Sequence, residues 1–174
     1  MELGTPLGSI VAEIFTDRAP VSAGNFLRLV DMGLYAGASF YRVVRPDNGL
    51  HTPNLRLVQG GVDPTCRHPP LPPIPHESTR VTGLSHLSGT VSMARWEPGT
   101  AASEFFIVMN DCPELDAGGD YDEGYAAFGR IRSSMEIVRA LCELRTRSMP
   151  TIEYMSDQAI IPVPFTAARI PCSE

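Results

Sequence analysis

Sixteen prolines and fifteen glycines interrupt the 174-residue chain so often that its apolar stretches are held to strand length. Proline inside a helix removes a hydrogen bond and clashes with the preceding turn, and glycine there costs backbone entropy. Long helices are therefore disfavoured over most of the chain, and short strands joined by turns are expected. The apolar share, 43%, is enough to build a core, so the proline and glycine excess marks turns and ordered loops rather than disorder. The length fits one domain on a prior of about 100 to 200 residues, and a single domain spanning residues 1–174 is expected.

The elements can be read from their punctuation. Gly8 to Phe15 is β-branched and apolar and follows a Thr-Pro-Leu-Gly turn, which predicts the second strand of a hairpin. Pro20 suits a first helical turn, Phe26, Leu27, Leu29 and Val30 share one face, and Gly33 lies past the end, giving a helix over about 20–32. Strands are expected at Ser39–Val44, Leu55–Gln59, Gly89–Ala94, Phe105–Val108 and Ala126–Arg130. A polar loop separates the first two (45–54), and a stretch with six prolines follows Gly60-Gly61 (63–75) and should wrap the surface as extended chain. Ser133-Ser134-Met135-Glu136 reads as a capping box ahead of Ile137, Leu141 and Leu144, a second helix over about 134–144. In the tail from Tyr154 to Ile170, the run FTAARI should pair back into the sheet. About eight strands and two helices without β-α-β alternation give a mainly β fold, a closed eight-stranded antiparallel barrel with helical caps, because closure removes exposed edges.

Charge and motifs exclude several functions. With 14 basic and 20 acidic residues the net charge is −6, so no basic footprint for nucleic acid is present. No apolar run reaches the roughly 18 residues of a membrane span. The first fifteen residues carry Glu2 and Glu13 and lack a positive n-region, so a cytoplasmic protein is expected, a mature exported form being compatible with the same chain. Cys66, Cys112, Cys142 and Cys172 are scattered singly with no CxxC, which favours reduced thiols over a redox pair or a zinc knuckle. GxSxG and HExxH are absent, and His51, His68, His76 and His86 have no paired ligand spacing. His76 beside Glu77 is read as a surface pair, and Asp116 to Gly124 as a solvated acidic turn rather than a calcium loop, since its spacing is not that of an EF-hand. Neither a metal nor a cofactor is expected.

Four blocks stand in one order: Phe40-Tyr41-Arg42-Val43-Val44, Val58-Gln59-Gly60-Gly61, Gly89-Thr90-Val91-Ser92-Met93-Ala94, and Ser103-Glu104-Phe105-Phe106-Ile107, followed by Ala127-Phe128-Gly129-Arg130. With them the chain resembles the cyclophilins, the peptidyl-prolyl cis-trans isomerases, and most of all their bacterial branch, from about Gly8 to Leu144. The resemblance implies an eight-stranded barrel capped by two helices, in agreement with the count above. It further implies that Arg42 is the catalytic arginine with Gln59 beside it, that Phe106 is the floor of a proline pocket walled by Leu57 and Leu115, and that Phe40, Ala94, Arg95, Glu104 and Tyr125 contact the substrate. A lone arginine in a strand is usually a solvated face residue and a Phe-Phe pair is usually core; within the ordered set the balance reverses.

An isomerase assisting protein folding is the leading expectation, with proline-containing segments of unfolded or flexible chains as partners and a monomer as the working form. A proline-peptide binding module with little turnover is the alternative. Three departures from the family pattern favour it: Arg56 stands where an apolar pocket residue is common, Glu104 replaces a glutamine and could pair with Arg42, Arg56 or Arg95, and Glu114 replaces a tryptophan associated with cyclosporin binding, so that weak affinity for that drug is expected.

Overall fold

A computed structural model describes residues 1–47, 54–62, 71–120, 122–147 and 157–170. Its ten strands are β1 (Glu2–Thr5), β2 (Gly8–Ile14), β3 (Ser39–Val44), β4 (Leu57–Gly61), β5 (Thr90–Met93), β6 (Phe105–Val108), β7 (Ala126–Ser133), β8 (Thr146–Arg147), β9 (Gln158–Pro164) and β10 (Thr166–Ala168). The helices are α1 (Pro20–Asp31), α2 (Thr79–Thr82) and α3 (Met135–Cys142), with a 3-10 turn at Pro113–Leu115. The strands form one sheet in the order β10-β1-β2-β7-β5-β6-β4-β3-β9-β8. All the pairings are antiparallel. The fold is thus mainly β, but with ten strands and three helices rather than eight and two, and the pairing order of the described residues has two ends. The predicted loops 45–54 and 63–75 lie partly outside the described residues, as do Cys66, Cys172, His51 and His68. The described cysteines, Cys112 and Cys142, are buried free thiols, pushed up by burial to about 11 and about 12.

Period-two alternation divides the central strands between two clusters. Val43, Val58, Phe105 and Ile107 enter the main core beneath α1, while Val44, Leu57, Phe106 and Val108 build a second, smaller cluster on the other face. The main core is aromatic at its centre: Phe26 of α1 lies 5.2–5.3 Å from the rings of Tyr35, Phe105 and Phe128, and Phe165 packs on Phe40 at 4.9 Å. Gly60 permits the last contact, because a Cβ there would stand 2.8 Å from the Phe40 ring.

Two helix starts take no side-chain cap from the local pattern. Ser133 pairs with Val11 and stays in β7, so α3 begins after Ser134, which takes a left-handed conformation (φ 69°) with no side-chain cap. The capping box does not form because the sheet ladder claims its first residue. Helix α1 has no side-chain cap from Ala19. Its free N–H groups are met by Glu77, 55 residues on, whose carboxylate accepts from the backbone of Val21 (3.0 Å) and Ser22 (2.6 Å). Glu77 thus holds an anion at the positive end of the helix dipole. Glu77→Ala should lower unfolding free energy by about 1–2 kcal/mol in urea titrations, with Glu77→Gln intermediate; an unchanged midpoint in both variants is the contrary result.

Candidate active site

Strand register assembles the site. Arg42 on β3 pairs with Gln59 on β4, Gln59 with Phe106 on β6, and Phe106 with Ser92 on β5. Directly paired residues point to the same face and neighbouring strands lie about 4.8 Å apart, so these four residues form a row across the sheet. Arg42 and Phe106 stand two strands apart, with Gln59 between them. Around Phe106 the second cluster supplies apolar walls from Val44, Leu55, Leu57, Val108, Cys112 and Leu115, with Ala94 and Tyr125 packed at its margin. Tyr125 meets Phe106 edge to face at 5.3 Å.

The guanidinium is held from two sides. Arg42 Nη1 donates to Gln59 Oε1 at 3.0 Å, and Arg42 Nη2 lies 3.6 Å from Asp157 Oδ2. Asp157 is wholly buried and Arg42 nearly so, with 16% of its side chain exposed. Gln59 Nε2 in turn donates to the Tyr41 hydroxyl at 2.9 Å, and that hydroxyl donates to the Glu104 carboxylate.

Behind Phe106, the His86 ring stacks on it at 6.0 Å, tilted by 17°. A carboxylate only accepts, so His86 Nδ1 carries the proton it gives to Asp116 Oδ1 (2.6 Å), and Nε2 accepts from Ser92 Oγ (2.9 Å). Burial pushes the imidazole below its ordinary 6.5, outweighing the opposite pull of Asp116. The sign follows: the unfolded chain takes up this proton below about pH 6.5 while the folded protein resists it, so stability is full above that pH and falls on acidification. The urea midpoint should drop between pH 7.5 and 5.5, and the His86 ring protons should titrate below 6.5 by NMR. A midpoint at or above 6.5 would contradict the neutral assignment.

Most expected site residues converge, and several take other roles. Arg42, Gln59, Leu57, Phe106, Leu115, Ala94 and Tyr125 lie together. Phe40 does not: a bulge between Phe40 and Arg42 breaks the alternation and turns Phe40, fully buried, into the main core. Arg95 works at the rim, donating to the carbonyls of Gly124 and Trp96 and placing its guanidinium carbon 4.7 Å from the centre of the Tyr125 ring. Arg56 is exposed and lies outside the apolar cluster; its neighbour Leu55, 3% exposed, is the residue that joins it. Glu104 engages Tyr41, a partner absent from the expected set. Tyr41 and Asp157 are the neighbours of Gln59 and Arg42 that pattern reading missed; Asp157 lies in the tail, where only the long-range approach of the segment before β9 to β3 reveals it. Among the described residues no group of three or more His, Cys, Asp or Glu side chains could hold a metal ion.

Comparison with known proteins agrees with this geometry. The family model of the cyclophilin type peptidyl-prolyl cis-trans isomerases matches residues 1–161. A peptidyl-prolyl cis-trans isomerase of Acinetobacter baylyi is 34% identical over 148 residues, covering 84% of this chain and 73% of the relative. Peptidyl-prolyl cis-trans isomerase A of Dickeya dadantii is 32% identical over 161 residues, covering 91% and 79%. A cyclophilin from Cryptosporidium parvum, crystallised in the presence of the dipeptide Ala-Pro, shares the fold with a TM-score of 0.72 at 21% identity, covering 98% of this chain and 100% of that one.

Proposed function

We infer, because the chain belongs to the cyclophilin-type peptidyl-prolyl cis-trans isomerase family, that Arg42 is the group which turns binding of a proline-containing segment into rotation of its Xaa-Pro bond. The activity itself is peptidyl-prolyl cis-trans isomerisation. Rotation of a peptide bond meets a barrier of about 18–20 kcal/mol because resonance gives the C–N bond double-bond character. No bond is broken, so no nucleophile is required. As the bond twists, the proline nitrogen becomes pyramidal and gains a lone pair. A fixed guanidinium can donate to that lone pair, and to nothing equivalent in the planar states, which is preferential binding of the transition state. The apolar walls around Phe106 suit a pyrrolidine ring and exclude water, which strengthens the hydrogen bond.

The observation that carries this reading is the row Arg42-Gln59-Phe106: an arginine already oriented by a glutamine, at the edge of an apolar cluster separate from the main core. Gln59 acts by holding Arg42, and Leu57, Leu115, Ala94 and Tyr125 shape the pocket. An exchange assay on an Ala-Pro peptide, by NMR or coupled proteolysis, tests it against the binding-module alternative. Accelerated exchange supports the isomerase mechanism, and peptide binding without acceleration overturns it.

Two finer features belong to the same reading. The curled sheet closes as a barrel: Phe165 alone separates β9, paired near one end of the sheet, from β10, paired at the other, so a single continuous segment spans both sides. Cyclosporin binds weakly, since Glu114 places a charged side chain next to Leu115 at the pocket wall. Millimolar or undetectable inhibition is expected in the exchange assay, and tight stoichiometric inhibition is the opposing outcome.

A further inference from the structure

We propose that Tyr41 and Glu104 are positioning residues, which fix the Gln59 side chain in the one orientation that presents its oxygen to Arg42. The proposal rests on Arg42 as the catalytic group and concerns what holds it.

A glutamine amide has two ends of similar shape and opposite character, an acceptor oxygen and a donor NH2. With the oxygen toward Arg42 Nη1 the contact is a hydrogen bond; flipped, it sets donor against donor. The guanidinium contact therefore already disfavours the reverse state. The far side reinforces the same choice. Gln59 Nε2 meets the Tyr41 hydroxyl at 2.9 Å, and a hydroxyl can either donate or accept. Its single proton is committed to the Glu104 carboxylate, an acceptor only, so toward Gln59 the oxygen can only accept. Burial, and then the Glu104 charge, raise the Tyr41 hydroxyl above the phenol range, so the proton stays in place through neutral pH. The chain therefore runs in one direction, from Arg42 through Gln59 and Tyr41 to Glu104, and its polarity is set by the acid at its end.

The acid is itself placed by the backbone. The carbonyl of Glu104 accepts from the N–H of Ala94 (2.9 Å), the preceding carbonyl accepts from the Tyr35 hydroxyl (2.9 Å), and Gly61 lets β4 come so near that a Cβ there would be 2.8 Å from the Glu104 Cα. A glutamine at 104 could offer either end to the tyrosine and would not enforce the direction. Glu104 thus differs in function, and not only in charge, from the residue that the family pattern leads one to expect.

The test is steady-state and single-turnover exchange kinetics on an Ala-Pro peptide for Tyr41→Phe, Glu104→Gln and the double variant, beside wild type and Arg42→Ala, each with its thermal midpoint. Tyr41→Phe and Glu104→Gln should each lower kcat about three- to tenfold, the worth of one oriented hydrogen bond, with KM within about twofold. The double variant should lose no more than either single variant, because all break one chain. The Arg42 and Gln59 side-chain N–H resonances should shift or broaden in both. Unchanged kcat in Tyr41→Phe and Glu104→Gln, or losses that multiply in the double variant, with Arg42→Ala strongly impaired, would overturn the positioning role and leave the arginine mechanism intact. If Arg42→Ala retains full rate, the mechanism falls and the positioning role falls with it. A loss confined to KM in these two variants also overturns it, since a mere binding contact would act there.

Discussion

Arg42→Ala should reduce kcat/KM on an Ala-Pro peptide by about 100-fold or more. A hydrogen-bond donor directed at charge or a lone pair that develops in the transition state is worth about 3–4 kcal/mol, and each 1.4 kcal/mol is a factor of ten in rate. The loss should fall on kcat, because the planar substrate offers the nitrogen lone pair to no donor and gains little from the guanidinium on binding. Alanine also removes the cation that faces Asp157, so the variant should be less stable, and a rate measured near its unfolding midpoint would mislead. Arg42→Lys separates the two effects. Lysine keeps a positive charge beside Asp157 but cannot donate to Gln59 and to substrate from one rigid plane. It should therefore restore most of the stability while keeping at least a tenfold loss of rate. A lysine variant with nearly full activity would mean that charge alone serves, and that the fork geometry set by Gln59 is irrelevant.

How far the chain could be read in advance follows from which contacts are local. The β-branched and apolar runs SFYRVV, LRLVQ and FFIV located β3, β4 and β6 within about two residues, while Arg42, Gln59 and Phe106 came from the resemblance to the cyclophilins; strand pairing sets the three in one row because paired residues share a face. The resemblance also set Phe40 against the substrate, and the structure puts it in the main core instead. A bulge adds a residue without leaving any mark in the pattern, so Phe40 turned inward. The resemblance set Arg56 in a place that is commonly apolar; Leu55 is buried and Arg56 exposed, so the apolar side chain stands one residue earlier. The α1 cap by Glu77 and the pairing of Arg42 with Asp157 join residues 55 and more apart in sequence, and no local signal announces such contacts. Tyr41 was in plain view inside a recognised block, but its role depends on Glu104, whose carboxylate was expected to seek an arginine. The hydroxyl between them was the missing piece.

Asp157→Ala should cost about 3–5 kcal/mol of stability, the range found when one member of a buried ion pair is removed. The carboxylate has no solvent exposure and faces Arg42 Nη2 at 3.6 Å, a distance at which attraction in the interior is large, but the carboxylate has surrendered its hydration and the guanidinium most of its own. Deleting the acid leaves the guanidinium with most of its hydration lost and this compensation gone. The strand itself should survive, because Asp157 also holds β3 through its backbone carbonyl, which accepts from the N–H of Val43 at 2.9 Å whatever the side chain. Removing both ions reverses the balance. In Arg42→Met/Asp157→Leu an apolar pair of similar volume packs without the desolvation of two charges, and such replacements are often neutral or stabilising. The double variant should thus recover most of the urea midpoint lost by Asp157→Ala while remaining inactive in peptide exchange. That combination, stable and inert, would show that the pair is kept for the reaction and at the expense of stability. A double variant no more stable than Asp157→Ala would show instead that the ion pair holds the fold together, and an Asp157→Ala protein within about 1 kcal/mol of wild type would mean that Arg42 does not depend on this acid at all.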